Sequence, residues 1–141
     1  MRMVAAAVSI ALAGTPVFAG VCGEDTGRDL PLMEAAKEAF LKADYPGFVE
    51  IAGSYFPDLK DNYNQYFGQL QVVFPNGFTR CVTVLQRREE PGFHQDLVFF
   101  YPAGSAAPMA LLMVVAEVGG EMAMVEFTYN TGISEVLDEI K

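Results

Sequence analysis

A change of hydrophobic period near residue 66 constrains this chain most. Before it, apolar residues fall three and four apart. Met33, Ala36 and Phe40 line one row, with Glu34, Lys37, Glu38 and Lys42 between them. That spacing puts one apolar stripe on an amphipathic helix. Asp29 is placed to cap it, Pro31 falls in its first turn, and it should end near Ala43. Asp44 then caps a second helix with Pro46 in its first turn and Phe48, Ile51 and Ala52 on its inner side. Tyr55 to Asn64 accommodates one helical turn around Asp58 to Asn62. From Tyr66 onward the pattern alternates and reads as strands at 66–74, 78–88, 93–101, 109–118 and 121–129. Asn76-Gly77 and Gly119-Gly120 mark two-residue hairpins, because both central residues of such turns need positive φ. Ser134 caps a short closing helix with Val136, Leu137 and Ile140. Helices first and strands afterwards give an α+β class, with N-terminal helices packed on an antiparallel sheet of four to five strands.

The turns also assign faces, since residues paired across a hairpin share one. Val72 should meet Cys81 and Leu70 should meet Thr83. A four-residue loop at 89–92 would pair Arg87 with His94 and put Val98 and Phe100 on the Cys81 face. In the last hairpin, Leu112, Val114, Ala116, Ala123, Val125 and Phe127 form a uniformly apolar face, expected to pack on the helices and to continue the Cys81 face. The opposite side holds Val82, Val84, Leu97, Phe99, Met113, Val115, Met122 and Met124. That is more apolar surface than a lone monomer exposes, so a homodimer through this side is expected.

The first segment, MRMVAAAVSIALAGTPVFA, has one Arg, an apolar run, a breaking Pro16 and small residues before position 20. This is the layout of a secretory signal peptide at residues 1–19, leaving a single domain at 20–141. The run is shorter than the ~20 residues a membrane span needs, and no second one follows. The mature protein is therefore expected to be soluble, without stable membrane insertion, and periplasmic or secreted. Removing the leader takes away one of 9 basic residues and none of 18 acidic ones, so the net charge moves from -9 to about -10. Such a chain lacks the clustered Lys and Arg that nucleic acid requires. With two Cys in all, export implies one disulfide, Cys22 to Cys81. Closing a loop of roughly 60 residues contributes on the order of 4 kcal/mol by chain entropy. One His and two Cys exclude by count the common four-ligand zinc sets. Met109, Met113, Met122 and Met124 share a face, but without the compact His and Met spacing of copper carriers they read as packing. No metal or cofactor is expected.

The layout of helices followed by an antiparallel meander resembles the cystatin-like roll of the nuclear-transport-factor-2-like superfamily. Locally the resemblance lies in Glu38-Ala39-Phe40-Leu41-Lys42-Ala43-Asp44-Tyr45-Pro46-Gly47-Phe48-Val49, where a helix ends in a small residue and Asp with an aromatic residue four positions on. It implies a curved sheet wrapped around the helices into a cone. The superfamily includes enzymes, binding domains and secreted proteins, so the fold implies no activity. No Tyr and Asp arrangement of its catalytic members maps onto this chain.

Arg87, His94 and Asp96 fall on one face near one end of the sheet, at the mouth of that cone. A carboxylate beside His makes an acid–base pair, and Arg87 would orient an anionic substrate. Tyr55, Tyr63 and Tyr66 would line the same mouth as candidate ligand contacts. A solvated sheet end with a surface ion pair explains the same three charges without chemistry. The expectation is an exported, non-catalytic module with a cystatin-like roll that binds a small apolar ligand or a protein partner. The alternatives are a hydrolase or isomerase using His94 and Asp96, or a structural dimer.

Overall fold

The computed structural model describes residues 20–23, 28–53, 55–104 and 107–140; the leader assigned to residues 1–19 lies outside them. Pro31 opens α1 (Pro31–Leu41), whose Met33, Ala36, Ala39 and Phe40 are buried. Its N-cap is Leu30, without a side-chain cap. Asp29, expected to cap it, instead accepts from Gln86 Nε2 at 2.8 Å. The chain turns through Ala43, at φ 56°, into α2 (Tyr45–Ala52). Asp44 caps α2 by accepting from the Gly47 amide at 3.0 Å, as the sequence predicts. One turn, α3 (Asp58–Asp61), follows.

The next segment corrects the expected first strand, because residues 63–73 form a helix, α4 (Tyr63–Val73). The alternation of Leu70, Val72 and Phe74 is incidental. The row that packs is Tyr63, Phe67, Leu70 and Phe74, and Val72 is 80% exposed. The pairs Val72 with Cys81 and Leu70 with Thr83 therefore do not form. Asn76-Gly77 is not a hairpin but the link from α4 to the sheet. Gly77 does adopt positive φ, +79°. A Cβ there would lie 2.3 Å from Leu41 O, and the next amide, Phe78, donates to that oxygen at 2.9 Å. This glycine lets the chain pass against the end of α1.

Four strands follow in spatial order β1-β2-β3-β4: β1 (Arg80–Glu89), β2 (Phe93–Tyr101), β3 (Met109–Val118) and β4 (Glu121–Asn130), all antiparallel. Two bulges shift the expected faces. Between β1 and β2, Cys81 opposes Phe100 and Thr83 opposes Val98 as expected, but the register slips at Val84. Beyond it Gln86 opposes Asp96 and Arg88 opposes His94, so Arg88 takes the place expected of Arg87. The connection is 90–92, one residue shorter than expected, because Glu89 pairs with Phe93. Between β3 and β4, Val115 opposes Met124 as the Gly119-Gly120 turn dictates; after a slip at Val125, Met113 opposes Phe127.

The face on the helices is the one carrying Cys81, Val98, Phe100, Met109, Leu111, Met113, Val115, Met124 and Phe127. The expected Leu112 face is therefore the back. The β2–β3 register, Val98 against Leu111, sets this continuity. Turn parity within each hairpin does not fix it. α5 (Ile133–Leu137) covers part of the back, where Val136 and the flanking Ile133 and Ile140 pack with Leu97, Phe99, Ala110 and Leu112. Its N-cap is Gly132, with no side-chain cap from Ser134. Met113, Val115 and Met124 thus point at helices, and α5 shields much of the rest. The apolar back from which a homodimer was expected is smaller than the sequence implied. Cys22 and Cys81 are joined by a disulfide with Cα atoms 4.7 Å apart. No helix among the described residues is long and apolar enough to cross a membrane.

Candidate functional site

α1 presents one charged residue to the core. Lys37 lies four residues after Met33 and three before Phe40, inside the apolar row, and is 1% exposed. Its Nζ sits 2.6 Å from Glu34 Oε1 and 2.8 Å from Asp96 Oδ2. The second contact is ionic, since it does not meet hydrogen-bond geometry. Asp96, fully buried in β2, places Oδ1 2.6 Å from Arg88 Nη1. The result is a chain of alternating charge, Glu34, Lys37, Asp96 and Arg88, with no net charge. Its ends bind the segment that carries Cys22. Glu34 Oε2 accepts the Val21 amide at 2.8 Å, and Arg88 Nε donates to Arg28 O at 2.7 Å. Buried charges persist only when each is paired, as here. The cluster stitches the N-terminal segment, α1 and β1–β2 together beside the disulfide. Lys37, Glu34 and Arg88 were not singled out from the sequence. A lysine inside an apolar helical row was the available signal.

His94 is buried on the same face, and its Nδ1 has no hydrogen-bond partner. Asp96 is engaged by Lys37 and Arg88, so the structure forms no His94–Asp96 hydrogen bond. Arg87 lies on the back, where its guanidinium pairs with Glu89 at 2.5 Å and sits 5.8 Å from the Phe93 ring centroid. The three residues expected at one mouth are therefore divided between two faces.

The tyrosines are elsewhere. Tyr63 stacks on Phe67, ring centroids 5.5 Å apart, and its hydroxyl donates to Gln71 Oε1 at 2.9 Å. Tyr55 and Tyr66 are 49% and 43% exposed. They border a groove of about 520 Å³ whose other walls include Phe56, Leu59, Phe127 and Tyr129. Tyr129, from β4, donates its hydroxyl to Tyr66 O and closes the floor. Burial pushes the Tyr129 hydroxyl pKa up. Tyr63 is raised by burial and then by Asp44. Tyr45, whose hydroxyl donates to Phe74 O at 3.0 Å, is pushed up to about 12 by burial and then by Tyr63 and Tyr129. These phenols are neutral at physiological pH and act as hydrogen-bond donors rather than as bases.

Met109, Met113 and Met124 are packed in the core, and Met122 is half-exposed. No group of three His, Cys, Asp or Glu that would hold a metal occurs among the described residues. A second cleft, about 430 Å³, lies between 20–23, the start of α1 and the outer edge of β1 at Val82–Gln86. Of its charged residues, Glu34 and Lys37 belong to the network already described, Asp29 bonds Gln86, and Arg28 joins the network through its backbone carbonyl. Compared with protein-family models, with curated proteins and with solved structures, the chain matches none.

Proposed function

We propose that this chain is an exported, non-catalytic binding module whose ligand seats an apolar or aromatic group in the groove between α3–α4 and β4. The observation that carries this reading is the pair of exposed tyrosines, Tyr55 and Tyr66, above a floor of Phe127 and Tyr129. A concave surface with large aromatic side chains left open is the ordinary form of a binding site. Its volume falls in the range of roughly 300–1,000 Å³ typical of ligand clefts. The layout, helices first and a four-stranded meander after, supports the resemblance to the cystatin-like roll and adds no activity to it. The catalytic alternative, a hydrolase or isomerase, needs a carboxylate free to act on His94. Both Asp96 oxygens instead face cations, and the tyrosines border a different groove.

The test is a fluorescence titration with the apolar probe N-phenyl-1-naphthylamine. Wild type should bind it, and the double variant Tyr55→Ala/Tyr66→Ala should lose at least about tenfold in affinity. His94→Ala should bind within about threefold of wild type. Unchanged binding by the tyrosine variant would overturn the reading.

A further inference from the structure

The groove continues past Tyr66. A second hollow of about 390 Å³ shares Tyr66 and Tyr129 with the first. A third, about 410 Å³, shares Val73, Phe74 and Thr131 with the second. Together they form one furrow along α4. Its sheet-side wall is the consecutive run Phe127, Thr128, Tyr129 and Asn130 of β4 with Thr131 just beyond its end, and Met109 of β3 behind them. Side chains on a strand alternate between faces, so a run of consecutive residues means that the backbone edge itself fronts the furrow. Among the described residues, β4 makes no main-chain hydrogen bond outside its ladder with β3. The opposite edge differs. On β1, the Thr83 amide donates to Cys22 O at 2.8 Å, and the bulge at Val84 interrupts the edge. From Glu126 to Asn130, beyond its own slip, β4 is regular. An unpaired, regular edge is a template for another strand.

Charge selects the occupant. β4 carries no basic residue, and its Glu126, opposite Val114 on the back of the sheet, would meet the side chains of an added strand that face away from the furrow, while β1 carries Arg80, Arg87 and Arg88. Asp58 lines the furrow, and no described Lys or Arg does. The basic residue of α3, Lys60, is paired with Glu50 at 2.8 Å. We propose that the furrow receives an extended, cationic peptide segment of a partner protein, which adds as a strand to the open edge of β4 and lays alternate apolar side chains against Tyr66, Val73 and Phe127. The stretch 127–131 offers about 14 Å of edge at roughly 3.4 Å per residue, enough for about five residues of an extended chain. Main-chain bonds to the edge would supply affinity, and the aromatic floor, with Asp58 on the furrow side and Glu126 on the other, would supply selection. This deepens the binding-module reading and rests on it.

The experiment titrates the isotope-labelled protein with acetyl-KVKFKVK-amide. Companion peptides are N-methylated at alternate amides in each of the two phases, and a further one carries Glu for Lys. Binding should move the amide signals of Phe127–Thr131. One N-methylated phase should lose at least about tenfold in affinity while the other keeps it, and the Glu peptide should bind more weakly. The proposal is overturned if the parent peptide fails to bind, if both N-methylated peptides bind like it, or if the shifts fall on Val82–Gln86. It is also overturned if β4 signals move with protein concentration alone, which would make a second copy the occupant. Naphthylamine binding that survives the loss of peptide binding leaves the small-ligand reading standing; loss of both removes both.

Discussion

Replacing Asp96 by alanine leaves two cations facing one another in the core. Lys37 is 1% exposed and the Arg88 side chain 10%, so neither gains much water when the carboxylate goes. Lys37 retains Glu34, but Arg88 keeps only carbonyls, those of Arg28, Arg87 and Gln95. Removing one member of a buried ion pair typically costs about 3–5 kcal/mol, because the partner remains charged and dry. Against a total stability of about 5–15 kcal/mol for a domain, that is a large fraction. The midpoint of thermal unfolding should fall by roughly 10–20 °C. The triple variant Lys37→Met/Arg88→Met/Asp96→Leu removes the three most buried charges, leaves Glu34 with the Val21 amide and 18% exposure, and should recover to within about 2 kcal/mol of wild type. Urea unfolding with the disulfide intact measures all three proteins, and an unchanged slope with denaturant shows that the same two states are compared. If Asp96→Ala costs less than about 1 kcal/mol, the cluster is not a dry mutual pairing and the reasoning fails. A triple variant as unstable as the single one would show that burial of unpaired charge is not the cause.

Three further outcomes follow from single residues. Gly77→Ala puts a Cβ 2.3 Å from Leu41 O at φ +79° and should destabilise by on the order of 2–3 kcal/mol in the same urea assay. Gln95 is fully buried, with neither side-chain amide atom hydrogen-bonded, so Gln95→Met should raise stability by about 1 kcal/mol. Tyr45 titrates near 12 when folded and 10.0 when unfolded, so between those values the native state holds a proton the unfolded chain has lost. Stability from this group is full below pH 10 and declines by about 2–3 kcal/mol towards pH 12. Absorbance at the tyrosinate band should accordingly show a late-titrating phenol that is absent in Tyr45→Phe.

Much of this fold is legible in residue spacing. Met33, Ala36 and Phe40 place α1, Asp44 and Pro46 place the start of α2, and Gly119-Gly120 sets the last hairpin. The misreading of α4 has a physical origin. Leu70, Val72 and Phe74 satisfy a period of two, while Tyr63, Phe67, Leu70 and Phe74 satisfy the helical row, and tertiary packing on Phe127 and Tyr129 selects the second. Turn parity fixes faces only until a bulge intervenes: the slip at Val84 put Arg88 in place of Arg87 on the helix side, and the slip at Val125 kept Phe127 on the helix side while Leu112 faces the back. The ionic cluster joins residues far apart in sequence, Glu34 and Lys37 with Arg88 and Asp96, so its pairing is a tertiary fact. The tyrosines were legible as candidates, but their separation from His94 depends on which residues become α4.

Under the proposed reading, ligands enter at the α4–β4 furrow and the charged cluster under α1 is structural. The most direct measurement is a map of backbone amide shifts during titration with N-phenyl-1-naphthylamine. Shifts centred on Tyr55–Leu59, Tyr66 and Phe127–Thr131 are the predicted result. Shifts centred on Arg28–Lys37 and His94–Asp96 would contradict it and return the buried acid, base and histidine to the role of an active site.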